Sequence, residues 1–242
     1  MKLPERIFGI DTDEARRKFE EESKKPKKQR ATPKTPFADK EGFIYVPSIN
    51  LYVAKEKSLH RKNWHETHAE LHSQNLYMPT IPEFIEFLKH LRSQPNNEEY
   101  QSIYNEITEV RTPWRSEWLD ALFEIKNKET HIHYNHRTIS GNLQPQNSEV
   151  LDGNTLMEDK APGINLEAWL SDPTKQGLPR ENIWDGDLYY YYPEYGDTVA
   201  GFGADSGRAY LVCDRDPSGR DDSLGVRAVR RASAEKPEEG GE

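Results

Sequence analysis

The hydrophobic periodicity of the chain changes once, near Ile125, and that change restricts the fold more than any other feature. Before it, apolar residues recur at helical spacing. Thr80-Ile-Pro-Glu83 is a capping box, in which the hydroxyl takes a free backbone N–H and the carboxylate reaches back. Behind it Phe84, Phe87, Leu88 and Leu91 fall at i, i+3, i+4 and i+7, one face of an amphipathic helix. Tyr100, Ile103, Tyr104 and Ile107 repeat that spacing. Ser58 to Gln74 places Leu59, Trp64, Thr67 and Leu71 on one stripe. Thr112-Pro113 reads as the cap and first-turn proline of a fourth helix carrying Trp114, Trp118, Leu119, Leu122 and Phe123. Beyond Ile125 the pattern is different. Thr130 to Asn135 alternates as a strand does, and turn signals crowd in at Ser140-Gly-Asn142, Asp152-Gly-Asn154, Ala161-Pro-Gly163 and Asp172-Pro173. Glu167–Leu170 reads as one short helical turn, and Ile183 to Arg231 as short strands and long loops. With Gly42–Val53 a strand pair at a sheet edge, broken by Pro47, the chain is expected to be α+β.

Composition bounds the partners. At 242 residues the chain can bury one good-sized core. Five Trp and twelve Tyr supply the apolar area for it, although 31% of the residues are charged and the mean hydropathy is -0.97. A net charge of -9 argues against general nucleic-acid binding, which needs a clustered positive surface. The basic run Lys24–Arg30 sits beside Glu20, Glu21 and Glu22 and reads as part of a solvated tail. The single cysteine, Cys213, excludes an intrachain disulfide framework and a cysteine zinc site. No apolar run is long enough for a membrane span, and the first residues do not read as a secretory signal. Synthesis in the cytoplasm is expected, with the final compartment open, including association with a particle or a surface. Residues 1–36 are expected to be a flexible charged tail, 37–231 a single domain, and 232–242 a disordered acidic tail.

Chemistry-bearing constellations are sparse. His65-Glu-Thr-His68 is one residue short of the His-Glu-x-x-His zinc-protease spacing, and His68 and His72 lack an acidic base at the required place. His131, His133 and His136 resemble a ligand set. On a strand, however, His131, His133 and Asn135 share one face and Ile132 and Tyr134 the other, as in an ordinary half-buried strand. Asp214, Asp216, Asp221 and Asp222 supply hard oxygen ligands suited to calcium, without an EF-hand spacing. No metal or other cofactor is assigned from these patterns. No glycine-rich phosphate loop or nucleophile elbow is present.

The run Asp187-Leu-Tyr-Tyr-Tyr-Tyr-Pro193 and the stretch Arg208–Arg230 interleave apolar and glycine positions with Tyr, Asp, Ser and Arg. These residue types make adaptable binding surfaces: Tyr and Arg give contact area at low entropic cost, and Ser, Gly and Asp give flexible polar contacts. Alternation along the tyrosine run would send one pair inward and leave one pair exposed.

Trp184-Asp-Gly-Asp187, Val199-Ala-Gly-Phe-Gly-Ala204, Arg208-Ala-Tyr-Leu-Val-Cys213, Asp216-Pro-Ser218 and Leu224-Gly-Val-Arg-Ala-Val-Arg230 together resemble the end of a C-type-lectin-fold domain. The nearest branch is the variable proteins of diversity-generating retroelements; the formylglycine-generating enzymes are more distant. The Leu-Gly-Val-Arg-x-Val-Arg ending is similar to the Gly-Phe-Arg-x-Val-Arg ending of that superfamily. Met78-Pro-Thr80 and the helix behind it resemble the Leu-Pro-Thr–helix element. The likeness spans residues 42–231, is most specific in the last 45 or so, and in length and helical insertions is similar to archaeal or archaeal-virus members.

The resemblance implies a C-type-lectin-like fold (formylglycine-generating-enzyme-like branch) with helical insertions and long loops. It also implies a non-enzymatic, receptor-like function, with a protein or glycan on a cell or host surface as ligand. In that family an error-prone reverse transcriptase rewrites adenines in the C-terminal coding repeat, so that Asn codons become Tyr, Asp, Ser, Gly, His, Thr or Arg codons. Within a variable region of about 184–231, Tyr189, Tyr191, Tyr195, Asp197, Asp205, Ser206 and Gly207 belong to that outcome set. So do Tyr210, Asp214, Gly219, Arg220, Asp221 and Asp222. Ala204, Leu211, Pro217, Leu224, Gly225 and Val226 read as the fixed frame. The departures narrow the function further. One cysteine cannot supply the pair that formylglycine-generating enzymes use, and the Glu-Pro-Asn and Trp-Asn-Asp sugar-binding motifs of calcium-dependent lectins are absent. Two rival readings stand beside this one: a metal-dependent enzyme using His131, His133 and His136, and a virion structural component.

Overall fold

The β-branched and aromatic stretch Gly42–Val53 yields a hairpin, and the cap signals further along yield helices. The computed structural model describes residues 39–232 together with the backbone of 6–7 and 10–11. β1 (Arg6–Ile7) and β2 (Ile10–Asp11) pair antiparallel within a first unit of residues 1–36; the rest of the expected charged tail lies outside the described residues. Residues 37–242 are a second unit. Of the expected acidic tail only Ala232 is described; it is buried against Tyr45 and Tyr52, and its N–H bonds the Asn50 carbonyl at 3.2 Å.

In the second unit β3 (Phe43–Val46) pairs with β4 (Leu51–Ala54), with Pro47 in the turn between them, where it removes no ladder bond. α1 (Trp64–Ser73) starts later than the apolar stripe suggests. Asn63 is its cap, accepting from Glu66 N–H at 2.8 Å, and Leu59 lies outside the helix in a left-handed conformation (φ 56). α2 (Ile81–Arg92) begins at the Thr80–Glu83 capping box and buries Phe84, Phe87, Leu88 and Leu91. α3 (Glu98–Thr108) buries Tyr100, Ile103 and Ile107.

The expected fourth helix is a strand. β5 (Arg115–Lys126) is a long strand of the main sheet, and Thr112-Pro113 precedes it as part of a turn. The reason is burial on both faces: Trp118, Leu119, Ala121 and Phe123 are each at most 1% exposed, so the run shows no strand alternation and its i, i+4 aromatics imitate a helix. β6 (Glu129–Tyr134), β7 (Arg137–Ile139), β8 (Asn142–Gln144), β9 (Asn147–Val150), β10 (Lys160–Ile164) and the short α4 (Leu166–Ser171) follow. β11 (Leu188–Tyr191), β12 (Thr198–Ala204), β13 (Ala209–Arg215), β14 (Leu224–Gly225) and β15 (Val229–Arg231) complete the order.

The main sheet runs β10-β11-β13-β12-β5-β6-β9, with β14 added beside β5. β11 with β13 and β14 with β5 are parallel; the other ladders are antiparallel. A second sheet runs β15-β4-β3, so the last strand closes on the first hairpin of this unit. Among the described residues the architecture is a mixed α+β fold, mostly sheet with few helices and no closed barrel. Phe202 of β12 packs between Phe84 of α2 (5.3 Å between ring centres) and Trp169 of α4 (6.1 Å, stacked), which fixes the helical layer on one face of the sheet. α1 is tied to β5 by two indoles: Trp64 Nε1 donates to the Leu119 carbonyl at 3.0 Å and Trp118 Nε1 to the Lys62 carbonyl at 3.2 Å.

A candidate ligand-binding face on the main sheet

Register decides which tyrosines face outward. Tyr189 and Tyr191 of β11 pair with Tyr210 and Val212 of β13, which pair in turn with Gly203 and Gly201 of β12. Directly paired residues share a face, so these side chains line one surface. Tyr190, Leu211 and Phe202 share the other and are at most 1% exposed. The Tyr190 hydroxyl donates to the Leu156 carbonyl at 3.1 Å, which satisfies its polar end inside the core. Tyr189 and Tyr191 are half-buried on the open face, and Tyr192 packs half-buried against the core.

Glycine makes the floor of this face. A Cβ on Gly203 would lie 2.7 Å from the Tyr210 ring and 2.9 Å from the Arg115 carbonyl oxygen, so only glycine lets Tyr210 lie against the strand. Trp114 Nε1 donates to the Tyr210 hydroxyl. Beyond Val212 the β12–β13 register slips: Gly201 pairs with Val212 but Val199 with Arg215, so β13 carries one extra residue. That bulge re-aims Arg215, which strict alternation would send into the core. Its guanidinium lies 5.6 Å from the ring centres of both Trp114 and Trp118. Burial pushes this guanidinium below its ordinary value, with Tyr210 and Asp214 acting against the shift.

A cavity of about 280 Å³ opens on the face, lined by Tyr191, Asp205, Arg208, Tyr210, Val212, Asp214 and Arg215. Arg208 lies over Tyr189 at 5.0 Å and over Tyr191 at 5.9 Å. Asp205 holds the β12–β13 turn, its Oδ1 accepting from Gly207 N–H at 2.7 Å and Arg208 N–H at 2.9 Å. Burial, with Asp159 and Glu194 near by, raises the Asp214 carboxyl above the usual carboxylate range although Arg215 opposes it. The cleft thus offers aromatic walls, two carboxylates and two guanidiniums, groups that recognise a polar ligand by stacking and charge-assisted hydrogen bonds. It contains no nucleophile paired with a base.

The residues expected from the sequence to vary divide into three groups. Tyr191, Asp205, Tyr210 and Asp214 line the cleft, with Tyr189 beside it under Arg208 and Ser206 and Gly207 at the exposed β12–β13 turn. Tyr210 is the least open of them, at 6% exposed. Tyr195, 59% exposed, lies within electrostatic reach of Asp214, and Asp197 is exposed in the same loop, where its N–H bonds the Phe123 carbonyl at 2.8 Å. Gly219, Arg220, Asp221 and Asp222 lie in a separate loop tied to the start of α1. There Arg220 bonds Glu66 at 2.7 Å, Asp222 pairs with Arg61, and Asp221 accepts from Ser223 N–H at 2.7 Å. Of the frame residues Ala204, Leu211, Leu224, Gly225 and Val226 are buried and Pro217 half-buried. Sequence reasoning passed over Arg208, Val212 and Arg215. Strand parity with Tyr210 carries a signal for Val212, whereas Arg215 depends on the bulge.

Neither histidine triplet assembles as a set. His133 Nε2 bonds Glu124 at 3.0 Å, and His131 belongs to no metal-ligating cluster among the described residues. Instead one member of each triplet meets Asp120 of β5: His68 Nε2 lies 3.6 Å and His136 Nδ1 2.5 Å from Asp120 Oδ1. Asp120 Oδ2 also accepts from His136 N–H at 2.9 Å. By strand parity Asp120 shares the face of Trp118 and Leu122, which pack with Trp64 and Leu71 of α1, and Leu119–Ala121 stand out of the β5–β12 ladder because Trp118 pairs with Gly201 and Leu122 with Val199. Burial pushes the His68 imidazole down to about 3, with Asp120 pulling the other way. The four acidic residues considered for calcium do not converge; Asp216, for example, caps Ser218 through N–H and Oγ bonds of 2.8 and 2.9 Å.

The chain matches no family model, no curated protein and no solved structure. Among the described residues, no helix is long and apolar enough to cross a membrane.

Proposed function

We propose that this chain is a non-enzymatic, receptor-like binding protein on a C-type-lectin-like scaffold, whose C-terminal region is diversified by a retroelement. One observation carries the reading: of the residues that the resemblance marks as variable, Tyr191, Asp205, Tyr210 and Asp214 line a single cleft, with Tyr189 beside it under Arg208, over a floor of two glycines of β12 and with the frame residue Leu211 behind. Exposed side chains on and around the open face can change while ladder bonds and the opposite, buried face keep the backbone in place, and surface substitutions of this sort cost within about 0.5 kcal/mol, whereas the buried Tyr210 is tied to the frame through Trp114 and Gly203. At about 280 Å³ the cleft is near the lower end of ligand pockets, which suits one side chain of a protein surface or one sugar ring of a glycan. Tyr191 and Arg208 are the expected energetic anchors.

The test is the nucleotide sequence of codons 184–231 and the DNA downstream. A near-identical repeat differing chiefly at adenines, with the differences falling in the codons of the thirteen residues named above, is the expected result. A complete genome without such a repeat would remove the retroelement from the proposal.

A further inference from the structure

We propose that His68, Asp120 and His136 form a buried binding site for one divalent transition-metal ion of the zinc class. The ligand atoms that the three offer all lie within 4.8 Å of one another, and the residues are 0%, 2% and 2% exposed. They come from three separated segments: α1, the long strand β5, and the residue leading into β7. Both ring nitrogens of His68 are buried without a hydrogen-bond partner, a state that buried polar groups rarely tolerate. Asp120 Oδ1, at 3.6 Å, is too far to bond His68 directly. A dication bound to one of the His68 nitrogens would supply a partner there and offset the carboxylate's charge, and Asp120 Oδ1 and His136 Nδ1, 2.5 Å apart, would separate to hold it.

The donor set selects the ion. Two imidazoles and a carboxylate suit zinc and its neighbours, whereas calcium and magnesium take oxygen ligands. Trp64 closes one side, its ring centre 4.3 Å from that of His68 and 4.9 Å from that of His136, so the site is shielded from solvent, while three protein ligands leave one coordination position open. The ion's role is to staple α1 to β5, the strand whose Trp118 supports Arg215 beneath the cleft. The inference does not depend on the proposed binding function.

Untagged full-length protein, freed of metal with a chelator and dialysed against zinc or cobalt, tests it. The expected result is one equivalent of metal by elemental analysis and visible cobalt absorption. A higher melting temperature with zinc is also expected. Asp120→Asn and His68→Gln should abolish stoichiometric uptake, while His131→Ala retains it. If the chelated wild type stays folded and takes up no metal, the site is refuted. Uptake that persists unchanged in both folded variants would place the metal elsewhere and refute it equally. If a variant does not fold, the wild-type stoichiometry alone decides.

Discussion

Replacing Gly203 with alanine adds one methyl group at the most crowded point of the floor. The new Cβ would sit 2.7 Å from Tyr210, 2.9 Å from the Arg115 carbonyl oxygen and 2.9 Å from Ser116 Oγ. Tyr210 can swing away, but the Arg115 oxygen is backbone of a long strand of the sheet, and Ser116 Oγ is held by its 3.0 Å bond to the Phe202 carbonyl. The strand has to shift, and overpacking of that kind costs about 1–3 kcal/mol. For a domain of this length, about 2 kcal/mol lowers the melting temperature by about 4–8 °C. Gly207→Ala is the matched control. Its Cβ would meet only Asp205 Oδ1, at 3.4 Å, on an exposed turn, so its effect should stay within about 0.5 kcal/mol. Urea denaturation of both variants, followed by tryptophan fluorescence because Trp114 contacts Tyr210, measures the difference. If Gly203→Ala is as stable as wild type, or Gly207→Ala is the costlier change, the separation of floor from variable rim is wrong.

Arg227 is fully buried, bonding Glu117 at 2.9 Å, Glu106 at 3.0 Å and the Lys55 carbonyl. Arg227→Ala leaves the buried Glu117 carboxylate uncompensated and should cost about 3–5 kcal/mol in urea denaturation, whereas Arg227→Met combined with Glu117→Met should recover much of it. A single-variant loss no larger than that of an ordinary surface change would refute this account. Tyr210 offers a pH test: burial raises its phenol to about 12, Arg215 opposing and Asp205 assisting. Because the unfolded chain ionises near 10, the contribution is complete below about pH 10 and is lost as pH rises towards 12. The stability curves of wild type and Tyr210→Phe should therefore converge across that interval, and parallel curves would show that the phenol is not held neutral by the fold.

Features fixed by neighbours in sequence were legible. The β3–β4 hairpin, the Thr80–Glu83 box and the faces of α2 and α3 follow from spacing within a few residues, and so does the short α4. β5 was misread because a strand covered on both sides loses the alternation that announces it. The parity of the tyrosine run predicted that Tyr190 would part from Tyr189 and Tyr191, yet nothing local foretells the bulge that turns Arg215 outward. The histidines failed for a related reason. His68 and His136, whose ring centres lie 5.4 Å apart, come together at Asp120, which sits in the very strand that imitates a helix.

The return of β15 to β4 places a check on the message as well as on the fold. Val229 to Arg231 pair with Val53 to Leu51, and Arg227 just ahead of them neutralises Glu117 inside the protein. These contacts are encoded downstream of every residue that lines the cleft. A shifted reading frame or an early stop anywhere in the cleft-forming segment deletes the edge strand and strands a buried carboxylate. Acquisition of the native state therefore certifies that translation has passed through that segment and left it in frame.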